Sequence, residues 1–497
     1  MAAIAAVLLL VMPCHAQKAL DELRGKLDQI FDAPAWKNAF WGVKIMDLKT
    51  SETLYERNAE KGFMPASNMK LFPTATALAV LGPDYRYETR LYACGPVTHG
   101  GILRGDVLIV GSGDPSVSGR YATDTPTTMI LRGWAEAVRK AGIRRITGAV
   151  IGDDDAFADA KLVGSWQLDY YQEWYAAESG GLTVNDNCWD VSVRPGRKPG
   201  APAMIVPALP TRYVTFKNEI LTTGPRPKGE GEAAITISRP LDRNEVTLGG
   251  YMPLDLKEQH VRGSVVNGTH YCATLLQEEL KRQGVRVSGG ALDADELTSK
   301  AARLLPGRCR LLHTHYSPPL SRIISFINKP SQNFYADQLL KTLGKVLYGT
   351  GDFEHGEMAV RDFLTTAGAD ASMLRMVDGS GLSRHNLVEP RMILALLAFM
   401  ASRPDFHYFY DSLPVAGVDG TLRTRAKGLA AENNAHAKTG FINRVRALSG
   451  YVTSREGRLI AFCMMVNNYT VETKQANAAQ DQAASLLAEY TSVAQSH

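Results

Sequence analysis

The chain has 497 residues, 45% hydrophobic and 21% charged, with 55 basic against 51 acidic side chains and a formal net charge of +4. That length accommodates two or three domains of about 100–200 residues each, and the ordinary composition excludes a disordered or collagen-like chain. No long block of like charges occurs, so there is no tail of the nucleic-acid-binding kind and no nucleic-acid partner is expected.

Ala2 to Met12 is an apolar run of signal-peptide length, followed by Cys14-His15-Ala16, a small-x-small cleavage pattern. The pattern predicts a signal peptide over residues 1–16, a mature chain from Gln17, and a periplasmic or extracellular location. No Lys or Arg precedes the run, and Cys14 also admits a lipoprotein reading, which Pro13 beside it opposes. No stretch reaches about 18 uninterrupted apolar residues, so no transmembrane segment is expected.

Phe40 to Leu48 and Glu52 to Arg57 read as two strands around a turn at Lys49-Thr50-Ser51, because apolar and polar residues alternate across Trp41-Gly42-Val43-Lys44-Ile45. A helix follows Pro65 and Ala66, with Met69, Leu71, Ala75, Ala77, Leu78 and Leu81 giving it an apolar surface broad enough for burial on most sides. From about 97 to 300 the texture changes to short β-like runs and turn clusters such as Gly111-Ser112-Gly113-Asp114-Pro115 and Pro195-Gly196-Arg197-Lys198-Pro199-Gly200. Within it, about 197 to 257 holds alternating residues such as Ala234-Ile235-Thr236-Ile237-Ser238 and the cluster Gly224 to Gly229, the mark of a nested β-rich part. Ala447 to Thr453 and Arg458 to Asn467 form a second hairpin around Glu456-Gly457, before a helical tail from about Glu472 to Ala494. Both ends therefore offer paired strands plus helix, the parts of one α/β (α+β) domain with a largely antiparallel sheet.

Cys94, Cys188, Cys272, Cys309 and Cys463 follow the leader without a C-x-x-C pair for zinc or redox chemistry. One disulfide or two can form, leaving at least one thiol free.

Ser67-Asn68-Met69-Lys70 puts a hydroxyl and an amine three residues apart at a helix start, on one face. A serine hydroxyl is a poor nucleophile unless a nearby base takes its proton, and a lysine desolvated in a cleft has its pKa lowered toward that task. The helix N-terminus adds N–H groups that favour developing negative charge. Alone the pattern is weak, since it arises about twice by chance in a chain of this size. Two later triplets change its weight. Ser331-Gln332-Asn333 follows Lys329-Pro330 and opens the helical pattern Phe334 to Leu340; Lys438-Thr439-Gly440 precedes the terminal hairpin and can itself lie on a strand, where Gly440 lets a ligand backbone lie close.

This ordered set resembles the penicillin-recognising serine hydrolases, the penicillin-binding proteins and serine β-lactamases. Pro65-Ala66-Ser67, the stretch Asp378-Gly379-Ser380-Gly381-Leu382-Ser383-Arg384-His385-Asn386 and the stretch Leu413 to Leu422 narrow the resemblance to the class C low-molecular-mass penicillin-binding proteins, of the DacB type. It runs from about residue 20 to 490. About 260 residues separate Ser67 from Ser331, more than a one-domain layout spans. The resemblance implies a penicillin-binding-protein/β-lactamase-like catalytic domain at 17–96 and 301–497, an inserted domain at 97–196 and 258–300, and a nested β-rich domain at 197–257. It also implies a serine-type D-alanyl-D-alanine carboxypeptidase and endopeptidase acting on peptidoglycan stem peptides, inhibited by β-lactams, with no metal or organic cofactor.

By motif, the resemblance makes Ser67 the nucleophile and Lys70 its base. Ser331 is the proton relay, and Asn333 holds the substrate amide and steadies Lys70. Lys438 and Thr439 receive the terminal carboxylate, Gly440 adjoins the substrate, and the N–H groups of Ser67 and Phe441 form the oxyanion hole. Relatives carry a carboxylate after a Trp-x-Trp pattern that recognises a stem-peptide amine; here the stretch is Trp166-Gln167-Leu168-Asp169-Tyr170, with Tyr170 at that place and Asp169 one earlier, so Asp169 is the candidate and Asp159 a weaker one. The alternatives are a serine β-lactamase, which shares the triplets but lacks so large an insert, and a non-catalytic muropeptide or β-lactam binder, which need not keep nucleophile and base together.

Asp378-Gly379-Ser380-Gly381 and Asp419-Gly420 read as turn chemistry without a catalytic role. His385 reads as a surface histidine, Gly111-Ser112-Gly113 as a turn rather than a dinucleotide loop, and Asp153-Asp154-Asp155 as a solvated acidic loop.

Overall fold

Burial follows the alternation at the first strand pair: Val43 and Ile45 are fully buried while Lys44 between them reaches solvent. The computed structural model describes residues 2–120, 126–226, 232–297 and 306–492, with side chains from Gln17 onward. Pro227 to Gly229 of the nested cluster, the boundary at 300/301 and the last residues of the expected tail lie outside those residues. So do the side chains of the leader, Cys14 included. The chain divides into two units, one made of Met1–Tyr85, Leu320–Leu347 and Phe353–His497, the other of Arg86–Pro319 and Tyr348–Asp352.

The first unit is built on a five-stranded, wholly antiparallel sheet in the order His436–Ile442, Val445–Thr453, Leu459–Asn467, Phe40–Asp47, Glu52–Arg57. Asp47 makes the first turn by accepting the N–H groups of Lys49 at 2.8 Å and Thr50 at 3.3 Å, and Ser51 takes a positive φ of 60°. Helix Ala2–Phe31 lays Leu20, Leu23, Leu27 and Phe31 against the sheet beside Ala476, Ala483 and Leu487 of helix Thr473–Glu489. These leucines recur every three or four residues, the spacing of one helical face, and each buried leucine contributes about 1.5–3 kcal/mol. The C-terminal helix stops at Glu489, short of its expected reach, where Tyr490 turns extended (φ −60°, ψ 135°).

Helix Leu71–Leu81 is buried without interruption from Leu71 to Leu78, as its apolar surface predicts for a central helix. It continues directly from a 3-10 turn, Ala66–Lys70, that packs on the His436–Ile442 and Val445–Thr453 strands. Helix Pro390–Ala401 packs on the Leu459–Asn467 and Phe40–Asp47 strands, so the sheet lies between two layers of helices.

The second unit carries the short strands its turn-rich sequence predicts. Five form a mixed sheet, Ala291–Asp293, Val150–Asp153, Asp106–Val110, Glu88–Cys94, Arg310–Tyr316, in which Val150–Asp153 runs parallel to both its neighbours. Ala234–Ser238 pairs antiparallel with Glu245–Pro253, which also carries Thr215–Asn218 and Leu221–Thr223 as parallel partners. Two helices, Thr127–Lys140 and Gly268–Arg282, go beyond the sequence reading; they bury Leu131, Trp134, Val138, Leu275, Leu276 and Leu280 in this unit's core. Cys94 and Cys309 form one disulfide, and Cys188, Cys272 and Cys463 are free and buried. Asp154 corrects the reading of a solvated acidic loop: it is buried, holding Lys161 Nζ at 3.0 Å and the Thr269 hydroxyl at 2.7 Å. Among the described residues no helix is long and apolar enough to cross a membrane.

Candidate active site

All three sequence motifs meet in the first unit. Ser67 is partly exposed on the 3-10 turn, one turn before Lys70, whose side chain is fully buried. Lys70 Nζ donates to Ser67 Oγ at 2.9 Å, to Asn333 Oδ1 at 2.7 Å and to the Ser380 carbonyl oxygen at 2.5 Å. An ammonium has three protons and no acceptor, so these partners use all three. A neutral amine keeps two protons, enough for Asn333 and Ser380, and turns its lone pair to the Ser67 hydroxyl. Burial lowers the Lys70 pKa to about 7, against the pull of Asp337 and Asp378, which raise it. The side chain therefore stands near the point where it exchanges one role for the other.

Ser331 sits at φ 64°, a left-handed turn immediately before helix Asn333–Tyr348, so the loop-to-helix placement expected of this triplet is what is found. The turn aims Ser331 Oγ at Lys438 Nζ, which donates to it at 2.8 Å and to the Thr439 carbonyl at 2.9 Å. Lys438 is fully buried on the His436–Ile442 strand, and its pKa is held well below the usual lysine value by burial first, then by repulsion from Lys70 and Arg446. Two lysines and two hydroxyls thus form a pair of nucleophile-like couples, Ser67 with Lys70 and Ser331 with Lys438.

His436–Ile442 is an edge strand. Ala437 N–H donates outward to the Pro414 carbonyl at 2.9 Å, and the two-residue period of a strand puts the N–H groups of Thr439 and Phe441 on that same outer edge. Thr439 is buried with its hydroxyl 2.7 Å from that of Thr421, whereas Phe441 is exposed, with the Arg446 guanidinium 4.9 Å from its ring centre. Gly440 proves to be demanded by the protein's own backbone: a β-carbon there would lie 2.6 Å from the Pro65 carbonyl oxygen and 3.0 Å from Ala447. Asp169 belongs to the second unit, on the exposed turn Leu168–Tyr170, where burial and then Asp169 itself push the Glu173 carboxyl up.

Several residues without a role in the sequence reading support the cluster. Asp337 is buried one helical turn after Asn333 and accepts the N–H groups of Gly379 at 2.8 Å and Ser380 at 2.9 Å, fixing the carbonyl that Lys70 touches. Its carboxyl is pushed well up by burial and by Asp378, against the pull of Lys70 and those two N–H groups. Asp378 is the turn-maker its sequence suggests, accepting from Gly381 N–H at 2.7 Å, Ser383 N–H at 2.8 Å and Asn386 Nδ2 at 2.8 Å. Gly381 has φ +80°, and a β-carbon on it would lie 1.8 Å from the Ala66 carbonyl oxygen, so the corner is moulded against the Ser67 turn. The four-residue spacing of Asn333 and Asp337 on a helical pattern was the available signal. His385 is exposed, as expected for a surface histidine.

A model of the D-Ala-D-Ala carboxypeptidase 3 (S13) family matches residues 23–490. The chain is 34% identical over 487 residues to a D-alanyl-D-alanine carboxypeptidase of Actinomadura sp. (strain R39), covering 95% of this chain and 85% of that one. It is 26% identical over 434 residues to D-alanyl-D-alanine carboxypeptidase DacB of Haemophilus influenzae, covering 86% and 85% of the two chains. The crystal structure of penicillin binding protein 4 (dacB) from Haemophilus influenzae has the same fold, with a TM-score of 0.77 at 25% identity over 92% of this chain and 97% of that one. The chain therefore belongs to the D-Ala-D-Ala carboxypeptidase 3 (S13) family and is a serine hydrolase.

Proposed function

We propose that this enzyme removes the terminal D-alanine from peptidoglycan stem peptides, and also cuts D,D cross-links, through an acyl-enzyme on Ser67. The observation that carries the proposal is the contact of a buried Lys70 amine, with its pKa near 7, on the Ser67 hydroxyl at 2.9 Å. Ser67 Oγ attacks the carbonyl carbon of the penultimate D-alanine while its proton passes to Lys70. Negative charge on the carbonyl oxygen is taken by the N–H groups of Ser67 and Phe441, a component worth about 3 kcal/mol per donor in such sites. Collapse of the tetrahedral intermediate breaks the C–N bond, and the leaving nitrogen receives a proton through Ser331. Water, deprotonated by the same base, then hydrolyses the ester and restores Ser67.

Asn333 holds both Lys70 and the substrate amide. Lys438 and Thr439 take the terminal carboxylate, whose charge restores the lysine to its ammonium form by offsetting the burial and repulsion that depress it. Gly440 lines the same edge, and Asp169 reads the stem-peptide side chain. A β-lactam presents a strained amide to the same serine and forms an ester that leaves slowly, so inhibition follows from catalysis. The same reading carries export by a signal peptide over residues 1–16 to the periplasm or outside the cell. It also carries a catalytic domain at 17–96 and 301–497, an insert at 97–196 and 258–300, and a nested domain at 197–257.

Digesting purified peptidoglycan with the wild type and with Ser67→Ala, then identifying the products, tests the proposal. Free D-alanine and separated cross-linked peptides from the wild type alone are expected. Equal cleavage by the variant, or prompt turnover of benzylpenicillin in place of a lasting adduct, overturns it, the second in favour of a β-lactamase.

A further inference from the structure

Asp419-Gly420 reads as turn chemistry, yet its corner, Val415 to Thr421, touches Thr439 and the chain just before Ser331. Thr421 N–H donates to the Lys329 carbonyl at 3.0 Å, and Lys329 Nζ donates to Asp419 Oδ2 at 2.7 Å, so the corner grips the residue two before Ser331. Val415 N–H donates to Asp419 Oδ1 at 2.9 Å, and Ala437 N–H to the Pro414 carbonyl at 2.9 Å, which ties the same corner to the edge of the strand bearing Lys438 and Thr439. Gly420 has φ +53°, and a β-carbon on it would lie 2.5 Å from the Lys329 carbonyl oxygen, so this close approach excludes any larger residue. Thr421 is exposed, but its backbone is held, and its hydroxyl lies 2.7 Å from the Thr439 hydroxyl.

We propose that Thr421 is a positioning residue for the terminal carboxylate: its hydroxyl donates to Thr439 Oγ1 and thereby turns the Thr439 proton toward the ligand. The inference rests on the reading that Thr439 faces that carboxylate. Each hydroxyl has one proton, and the pair has two possible directions. If Thr439 donated to Thr421, its oxygen would face an anion with lone pairs and repel it. A carboxylate is acceptor-only, so its arrival selects the chain Thr421 to Thr439 to carboxylate, in which each bond polarises the next. A neutral carboxamide end gains less, because its NH2 group can donate to Thr439 whichever way that hydroxyl points.

The test separates binding from chemistry. In a Ser67→Ala background, the affinity of an N-acyl-D-alanyl-D-alanine and of its C-terminal carboxamide is measured by calorimetry for Thr421, Thr421→Val and Thr421→Ser. Valine keeps the shape and the backbone N–H to Lys329 while removing the hydroxyl, and serine restores it; equal melting temperatures show that all three are folded. The valine variant is expected to bind the carboxylate peptide about 10-fold more weakly, with serine recovering most of the loss and the carboxamide unchanged. Unchanged carboxylate affinity in the valine variant, no recovery by serine, or equal weakening of the carboxamide overturns the inference, as does a carboxylate peptide bound no better than its carboxamide. Release of D-alanine by the wild type is scored separately. If it is absent while the Thr421 dependence holds, the hydrolytic reading falls and the positioning role stands.

Discussion

Asp337 Oδ1 accepts the Ser380 N–H at 2.9 Å, and the carbonyl of that same Ser380 receives Lys70 Nζ at 2.5 Å. Asp337 thus acts on Lys70 in two ways, by geometry through Ser380 and by charge directly. Asp337→Asn keeps an oxygen for the two N–H groups and removes the charge that raises the Lys70 pKa. The acid limb of kcat/KM is expected to move to lower pH. An unmoved limb with reduced activity would assign Asp337 to geometry alone.

On the proposed reading Lys70 works as the neutral amine. Activity is therefore lost as pH falls through about 7, where the folded-state amine gains its proton, and recovers above it. Lys70→Arg keeps the charge and cannot give up its proton, so acylation by a penicillin is expected to slow by about 10²–10⁴-fold across the whole pH range. A variant that regains activity at pH 9 would contradict this role.

Gly381→Ala brings a β-carbon to within 1.8 Å of the Ala66 carbonyl oxygen at a residue whose φ is +80°. Relief requires the Ser67 turn or the Gly381 corner to move, and misplacement by about 1 Å costs about 10²-fold in rate. Stopped-flow acylation is expected to show that loss even where the circular dichroism spectrum is unchanged. A wild-type acylation rate would show that the two corners are not coupled.

The five-stranded sheet was legible because both of its hairpins announce themselves locally: alternation across Trp41 to Ile45 and Ala447 to Thr453, with tight turns between the partners. The three motifs were legible because each carries its chemistry within three or four residues. What escaped was whatever depends on long-range contact. Asp337 reads as one more polar residue in a helix, and only the approach of Gly379 and Ser380, more than 40 positions away, makes it part of the site. Gly440 illustrates a second case: the residue was singled out for a ligand's backbone, and the close approach of the Pro65 carbonyl is a further demand that only the fold reveals. The pairing of Cys94 with Cys309 across 215 residues was open for the same reason, since spacing does not encode connectivity.

That disulfide lies wholly within the second unit, and it closes a loop long enough to stabilise by about 5 kcal/mol in the chain-entropy picture. Cys94→Ser with Cys309→Ser is expected to lower the melting temperature by several degrees and to leave the rate of penicillin acylation unchanged. A slower acylation at a temperature where the variant is folded would show that the crosslink also serves the site.

The mass of the peptide that contains Ser67 tests the central claim most directly. After brief exposure to benzylpenicillin, acid quenching and proteolysis, that peptide is expected to gain the full mass of the drug, with the fragment ions placing it on Ser67 and no adduct in Ser67→Ala. An adduct on Ser331, or one that persists in the Ser67→Ala protein, would contradict the account.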